Sequence, residues 1–175
     1  MEVGYEIISW KNIVIDSINL AMCRPYKDFG KGFYLTDIEE QAEKMAIRVS
    51  RIYGGSPIVN VFEIQDNFKE IPNINIKDFG LQTTEEWAKF VMNNRDRAFS
   101  DIENVLCNKD NKYDIVIGPV ADDNMALLFR QYENEVIDFE TLLKGMIYKK
   151  TSSQYSFHTE KSIKLLSRKV GKSYE

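Results

Sequence analysis

An α+β domain is the fold class this sequence predicts, on three observations. Short β-branched runs recur along the chain, segments of helical periodicity lie between them, and the two kinds do not alternate as regular strand-helix-strand units. A doubly wound parallel sheet would need that alternation. With 175 residues, 43% hydrophobic and 29% charged, the chain is long enough to bury a sizeable core as a single domain over residues 1–175.

The strand candidates are Ile13-Val14-Ile15, Ile58 to Ile64, Ile115-Val116-Ile117 and Gln154 to His158. Thr36 and Asp37, with Glu40 three residues past Asp37, are wired as a capped helix start. In the helix that follows, Ala42, Met45, Ala46, Val49 and Ile52 recur at three- and four-residue intervals and define one buried stripe, which Gly54-Gly55 ends. A second helix begins near Thr84, with Trp87, Phe90 and Val91 on one face and Arg95 near its end. A third runs from about Asn124 to Tyr132, with Met125, Leu128, Phe129 and Tyr132 inward, and Asp122-Asp123 supplies its N-terminal cap. A fourth carries Phe139, Leu142, Leu143, Met146 and Ile147. The polar stretch from Asn67 to Gln82, with Pro72 and Gly80, is expected to wrap the surface as a long loop. Lys161, Lys164, Arg168, Lys169 and Lys172 are expected on a solvated helix face.

Charge and motif content exclude several functions. The net charge of −4 comes from interspersed residues, so the chain lacks an overall basic footprint for nucleic acid. Cys23 and Cys107 make neither a disulfide framework nor a zinc site, and the lone histidine, His158, argues against a transition-metal centre. Walker lysine, GxSxG and HExxH motifs are absent. With no basic region ahead of an apolar stretch near Glu2, and no apolar run of roughly 18 residues, neither a signal peptide nor a membrane span is expected. A reduced cytoplasmic setting fits.

The most informative stretch is Asp28 to Thr36, DFGKGFYLT. Two closely spaced glycines are expected to let the backbone turn tightly and leave a gap beside it, ahead of the strand Phe33-Tyr34-Leu35. In the strand from Gln154 to His158, alternation puts Gln154, Ser156 and His158 on one face and Tyr155 and Phe157 on the other. That polar face suits either a cleft-lining strand or an edge strand turned to water.

Four blocks in order, DFGKGFYLT, EEWAKFVMNNR (Glu85 to Arg95), YDIVIGPVADDNM (Tyr113 to Met125) and QYSFHTEKSIKLL (Gln154 to Leu166), resemble the bacterial DUF3990 family. That family is similar to the ADP-ribosyltransferase superfamily, in particular its diphtheria-toxin and poly-ADP-ribose polymerase branch. The resemblance implies a split β-sheet core with flanking helices and a cleft holding NAD, used as substrate without a metal. It implies that Gly30, Gly32, Phe33 and Tyr34 bind NAD, with Tyr34 stacked on nicotinamide, and that Gln154 stands at the catalytic glutamate. Ile7-Ile8-Ser9-Trp10 falls where the family's first strand has His-Gly-Ser, whose histidine orients the ribose of the adenosine half and is missing here; Ser9 and Arg95 are further cofactor contacts.

Cleaving the nicotinamide–ribose bond builds positive charge on the ribose, and a carboxylate normally offsets it. Glutamine can donate and accept hydrogen bonds but carries no charge and cannot act as a base. The function implied is a mono-ADP-ribosyltransferase acting on a protein or nucleic-acid target, as the toxin partner of a small antitoxin protein. The alternatives are a degenerate module of the same fold that binds a nucleotide or a protein, and a cleft for another nucleotide bound through Arg95 or Asp123.

Overall fold

The computed structural model describes residues 4–98, 106–147, 152–169 and 172–173. Among these residues, two four-stranded sheets and five helices form one mixed α/β domain. In the first sheet, β1 (Gly4–Lys11) lies antiparallel to β3 (Ile58–Gln65), with Gly4 opposite Gln65 and Lys11 opposite Ile58. The short strands β7 (Ser167–Arg168) and β8 (Lys172–Ser173) pair with the other edge of β3. The second sheet runs β2 (Phe33–Leu35), β6 (Ser153–Phe157), β5 (Ile115–Pro119) and β4 (Ile76–Asp78). It is antiparallel except for the β4–β5 pair.

Side-chain alternation along the strands stacks these sheets into layers. Ile7, Phe62 and Ile64 of the first sheet meet Phe33, Leu35, Ile115, Ile117 and Phe157 of the second in one buried cluster. Their neighbours point the other way. Ile8, Val59 and Val61 pack under Ala42 and Ala46 of α1 (Glu39–Tyr53). Val116 packs with Trp87, Phe90 and Val91 of α2 (Glu85–Arg95), Met125 and Phe129 of α3 (Asp123–Glu133), and Leu142 and Met146 of α4 (Phe139–Ile147). The central strands β3 and β5 therefore read as nearly continuous apolar runs, because both faces are covered.

Local chemistry explains four of the helix ends. Thr84 accepts the Trp87 amide at 3.2 Å and Asp122 accepts the Met125 amide at 2.8 Å, each starting its helix as expected. Gly54, at φ +78°, closes α1 by donating to Ser50 O. Thr159 caps the one-turn α5 (Glu160–Ile163) in a capping box with Ser162.

Five expectations need correction. Ile13-Val14-Ile15 is not a strand, and Ile13 and Val14 are exposed; the first strand is β1. The N-cap of α1 is Ile38, without a side-chain cap, because the Thr36 hydroxyl is engaged elsewhere and Asp37 binds the Tyr155 hydroxyl instead. Ile52 lies on the exposed last turn of α1, outside the buried stripe, of which only Ala42 and Ala46 are fully covered. The 67–82 stretch is not a plain loop: Phe68 is buried in a 3-10 turn and β4 completes the second sheet. The basic tail leaves helix after Ile163 and becomes the edge strands β7 and β8.

The sheets meet where β1 passes the end of β2. Ile8 N donates to Thr36 O at 2.7 Å and Thr36 N donates to Ile8 O at 2.9 Å. The fully buried Thr36 hydroxyl accepts from Ile38 N at 3.2 Å and lies 3.1 Å from Ser153 O and from Gln41 Oε1. Thr36→Val keeps the shape but strands those groups. It is expected to cost roughly 1–3 kcal/mol, read as a lower urea midpoint with an unchanged slope; an unchanged midpoint would show that the hydroxyl does not hold this junction.

Candidate functional site

The glycine loop between Lys27 and Phe33 folds down on the polar face of β6. Gly30, at φ +92°, donates to Lys27 O at 3.0 Å, a turn that residues with a Cβ rarely adopt. A Cβ at Gly30 would lie 3.1 Å from Asn94 Oδ1, and one at Gly32 would lie 2.7 Å from His158 Nδ1 and 2.9 Å from Phe157 O. The space beside the glycines is thus filled by the protein's own side chains, which corrects the expected gap. Asn94 is itself fixed, donating to Phe90 O at 2.8 Å and accepting from Asn108 N at 2.9 Å. Asn108 in turn bonds Tyr113 N and O.

Tyr34, partly exposed on β2, closes the loop from the other side. Its hydroxyl donates to Gly30 O at 2.8 Å and accepts from Phe29 N at 3.0 Å, and its ring lies nearly parallel to Phe29 with centroids 6.5 Å apart. Burial pushes the Tyr34 phenol well above its ordinary pKa, so it acts as a neutral donor.

At the base of the loop, Asp28 is buried and accepts four N–H bonds. Arg95 Nε and Nη2 reach Oδ1 at 2.9 and 2.6 Å, while Ala121 N and Gln154 Nε2 reach Oδ2 at 3.0 and 2.8 Å. Gln154 Nε2 also lies 3.2 Å from Pro119 O, and Arg95 Nη2 lies 3.2 Å from Ala121 O. Two acceptors face one end of the Gln154 amide, so that end must be the nitrogen.

Farther along β6, His158 Nδ1 lies 2.9 Å from Lys31 O and Nε2 lies 2.8 Å from Ser156 Oγ. A carbonyl can only accept, so Nδ1 carries the proton and Nε2 accepts from the Ser156 hydroxyl. Gln154, Ser156 and His158 share one face, as alternation predicts, and all three are buried under the glycine loop. The face belongs to neither an open cleft nor a wetted edge. Burial lowers the His158 pKa to about 4, and the imidazole is neutral at pH 7.

The remaining candidates sit nearby or apart. Ser9 is buried on β1 one residue past the Ile8–Thr36 bridge, on the strand face that also carries Ile7. Phe33 points into the core between the sheets, edge-on to Phe62, on the opposite face of β2 from Tyr34. Asp123 is exposed at the start of α3, 3.9 Å from Arg48, and does not join the Asp28 node. Two surface concavities, of about 350 Å³ beside Phe68 and Lys164 and about 530 Å³ around Tyr132 and Asp138, share no residue with the loop site. Among the described residues, no group of three or more His, Cys, Asp or Glu is arranged to hold a metal, and no helix is long and apolar enough to cross a membrane.

A family model described as protein of unknown function, DUF3990, matches residues 11–167. The chain belongs to the DUF3990 family. The part matched to DUF3990 includes the glycine loop, Arg95, Gln154 and His158, and begins two residues after Ser9. No curated protein and no solved structure matches the chain significantly.

The resemblance points to Tyr34, Arg95 and Gln154 and gives no role to Asp28, Asn94 or Asn108. Asp28 opens the DFGKGFYLT block, and the signal for it was a lone acid beside Phe29, inside a loop about to enter the core. Its partners lie 67, 93 and 126 positions away in the chain.

Gly32→Ala drives a methyl group into His158 and Phe157 O, and is expected to destabilise the fold by roughly 1–3 kcal/mol, measured by urea unfolding; a neutral substitution would mean the loop is not seated on His158. The histidine also sets a pH window. The unfolded chain takes up a proton near pH 6.5 that the native imidazole refuses until about pH 4. Stability is therefore lost as pH falls through that interval, by roughly 3 kcal/mol. His158→Asn is expected to flatten that part of the stability profile, and an unchanged profile would assign the acid sensitivity to other groups.

Proposed function

We propose that this DUF3990 protein is an NAD-dependent mono-ADP-ribosyltransferase with a split-sheet, ADP-ribosyltransferase-like core. One observation carries the reading: the strands bearing Ser9, Tyr34 and Gln154 are neighbours at the junction of the two sheets. Tyr34 lies opposite Ser156 in the β2–β6 ladder, two positions from Gln154, and β1 meets the end of β2 through Ile8 and Thr36. In the resembling enzymes these strands carry a His-Gly-Ser whose histidine orients a ribose, the tyrosine that stacks on nicotinamide, and the glutamate; here Ile7 stands in the histidine's place and Gln154 in the glutamate's.

In this reaction the bond between nicotinamide nitrogen and ribose C1′ breaks, and its electron pair leaves with nicotinamide. A nucleophile of the target forms the new bond to C1′ and gives up its proton. An aromatic ring such as Tyr34 can stack on the pyridinium through its ring-face electrostatics. Gln154 can hydrogen-bond a ribose hydroxyl but takes no proton, and the carboxylate beside it, Asp28, already accepts four N–H bonds. Deprotonation of the nucleophile then falls to the target or to solvent. Under this reading the target is a protein or nucleic acid, and a small antitoxin partner acting in the cytoplasm is consistent with it. The filled acceptor set of Asp28 favours one second reading, a nucleotide- or protein-binding module that has lost transfer.

The readings separate with NAD in hand. Millimolar NAD should raise the melting temperature, since a ligand bound only by the native state stabilises it. Labelled NAD incubated with cell extract should mark a macromolecule. Tyr34→Phe keeps the ring and is expected to retain the label, whereas Tyr34→Ala should abolish it while melting cooperatively. Labelling that survives Tyr34→Ala would remove Tyr34 from the nicotinamide site; a thermal shift without labelling would select the binding module.

A further inference from the structure

The residue beside Gln154 explains why a glutamine stands there. Asp28 Oδ2 and Pro119 O, at 2.8 and 3.2 Å, both face the Gln154 nitrogen, and Pro119 O also accepts from Trp87 Nε1 at 3.1 Å. Replacing that nitrogen by a carboxylate oxygen would set three acceptors against one another with no hydrogen between them. Arg95 cannot relieve the clash where it stands, because its Nε and Nη2 are directed at Asp28 Oδ1.

We propose that Asp28 is the positioning residue of this site: it holds the negative charge that a glutamate at position 154 would otherwise carry, and it requires a neutral amide there, turned nitrogen-inward. With Nε2 directed at Asp28 and Pro119, Oε1 is the end of the amide turned away from both, and under the transferase reading it is the atom a ribose hydroxyl would meet. This assignment rests on the transferase reading insofar as the ligand group is a ribose hydroxyl; the orientation of the amide does not. The site thus keeps a carboxylate within one hydrogen bond of position 154, but behind the amide and clamped by Arg95. A charge so placed can offset positive charge developing on a ligand without serving as a base.

The charged and titratable groups around position 154 are Asp28 of the loop, Tyr34 of β2, Arg95 of α2 and, on its own strand, Tyr155 and His158; the facing strand β5 brings none. The carboxyl group that Q154E introduces would therefore ionise against Asp28 and hold its proton to a higher pH in the native state than in the unfolded chain. The stability of that variant should be greatest in acid and fall as pH rises.

The test is the melting temperature of the ligand-free wild type, Q154E, D28N and D28N/Q154E at pH 5 and pH 8. Between those values Q154E is expected to lose roughly 5–10 °C more than the wild type, and the excess should vanish in D28N/Q154E. Equal pH dependence of Q154E and wild type, or an excess that persists without Asp28, would overturn the proposal. Should Q154E fail to fold at both pH values, the wild-type Gln154 side-chain amide decides by NMR. Two resolved, slowly exchanging Nε2 protons that collapse toward free-amide values in D28N support it, and free-amide behaviour in the wild type overturns it. NAD is absent throughout, so a protein that cleaves no NAD can pass, and one that cleaves NAD can fail.

Discussion

A carboxylate withdrawn from water is costly unless its lone pairs are met by donors, and in this protein the donors to Asp28 come from three separate parts of the chain. Arg95 ends α2, Ala121 follows β5, and Gln154 belongs to β6. The node therefore fastens the glycine loop, a helix terminus and the second sheet at one point. Removing Arg95 leaves the Asp28 carboxylate an uncompensated buried charge, for which losses of about 3–5 kcal/mol are typical. The loop geometry above the node, with Tyr34 on one side and Asn94 and His158 on the other, follows from where Asp28 is pinned.

The same arrangement shapes what the site can do. Its polar groups are held by each other, so their positions need no ligand to fix them. Its titratable members are held in fixed states at pH 7 by burial, His158 as the neutral imidazole and Tyr34 as the neutral phenol. What remains is a neutral, hydrogen-bonded cluster backed by an ion pair and ill-suited to proton abstraction.

Much of this was legible in the residues, and the failures share a physical cause. Helices with a clear stripe and a side-chain cap, α2 and α3, are legible nearly to their ends, because their signals are local. The residue pattern by itself favours Ile13–Ile15 over β1, because Ile7 and Ile8 serve opposite faces, which hides the alternation, while the more obvious run lies exposed; only the resemblance puts a strand at Ile7 to Trp10. β4 and the tail strands look polar because they lie at sheet edges, where lysine is common. In the site, the family resemblance is what points to Tyr34 and Gln154. It does not point to Asp28, and a pairing across 126 positions leaves no spacing to read.

The tail has one further consequence. β3 is covered along one edge by β1, and its other edge is met by Ser167, Arg168, Lys172 and Ser173, which are made long after it. Until those residues arrive, a newly made chain presents an open row of amides and carbonyls along β3, whose Val59, Val61, Phe62 and Ile64 are core residues. Such a row is a template for pairing with any other extended chain. These late-made residues thus act as a built-in guard against self-association, and a chain shortened before Ser167 would keep its core yet lose that guard.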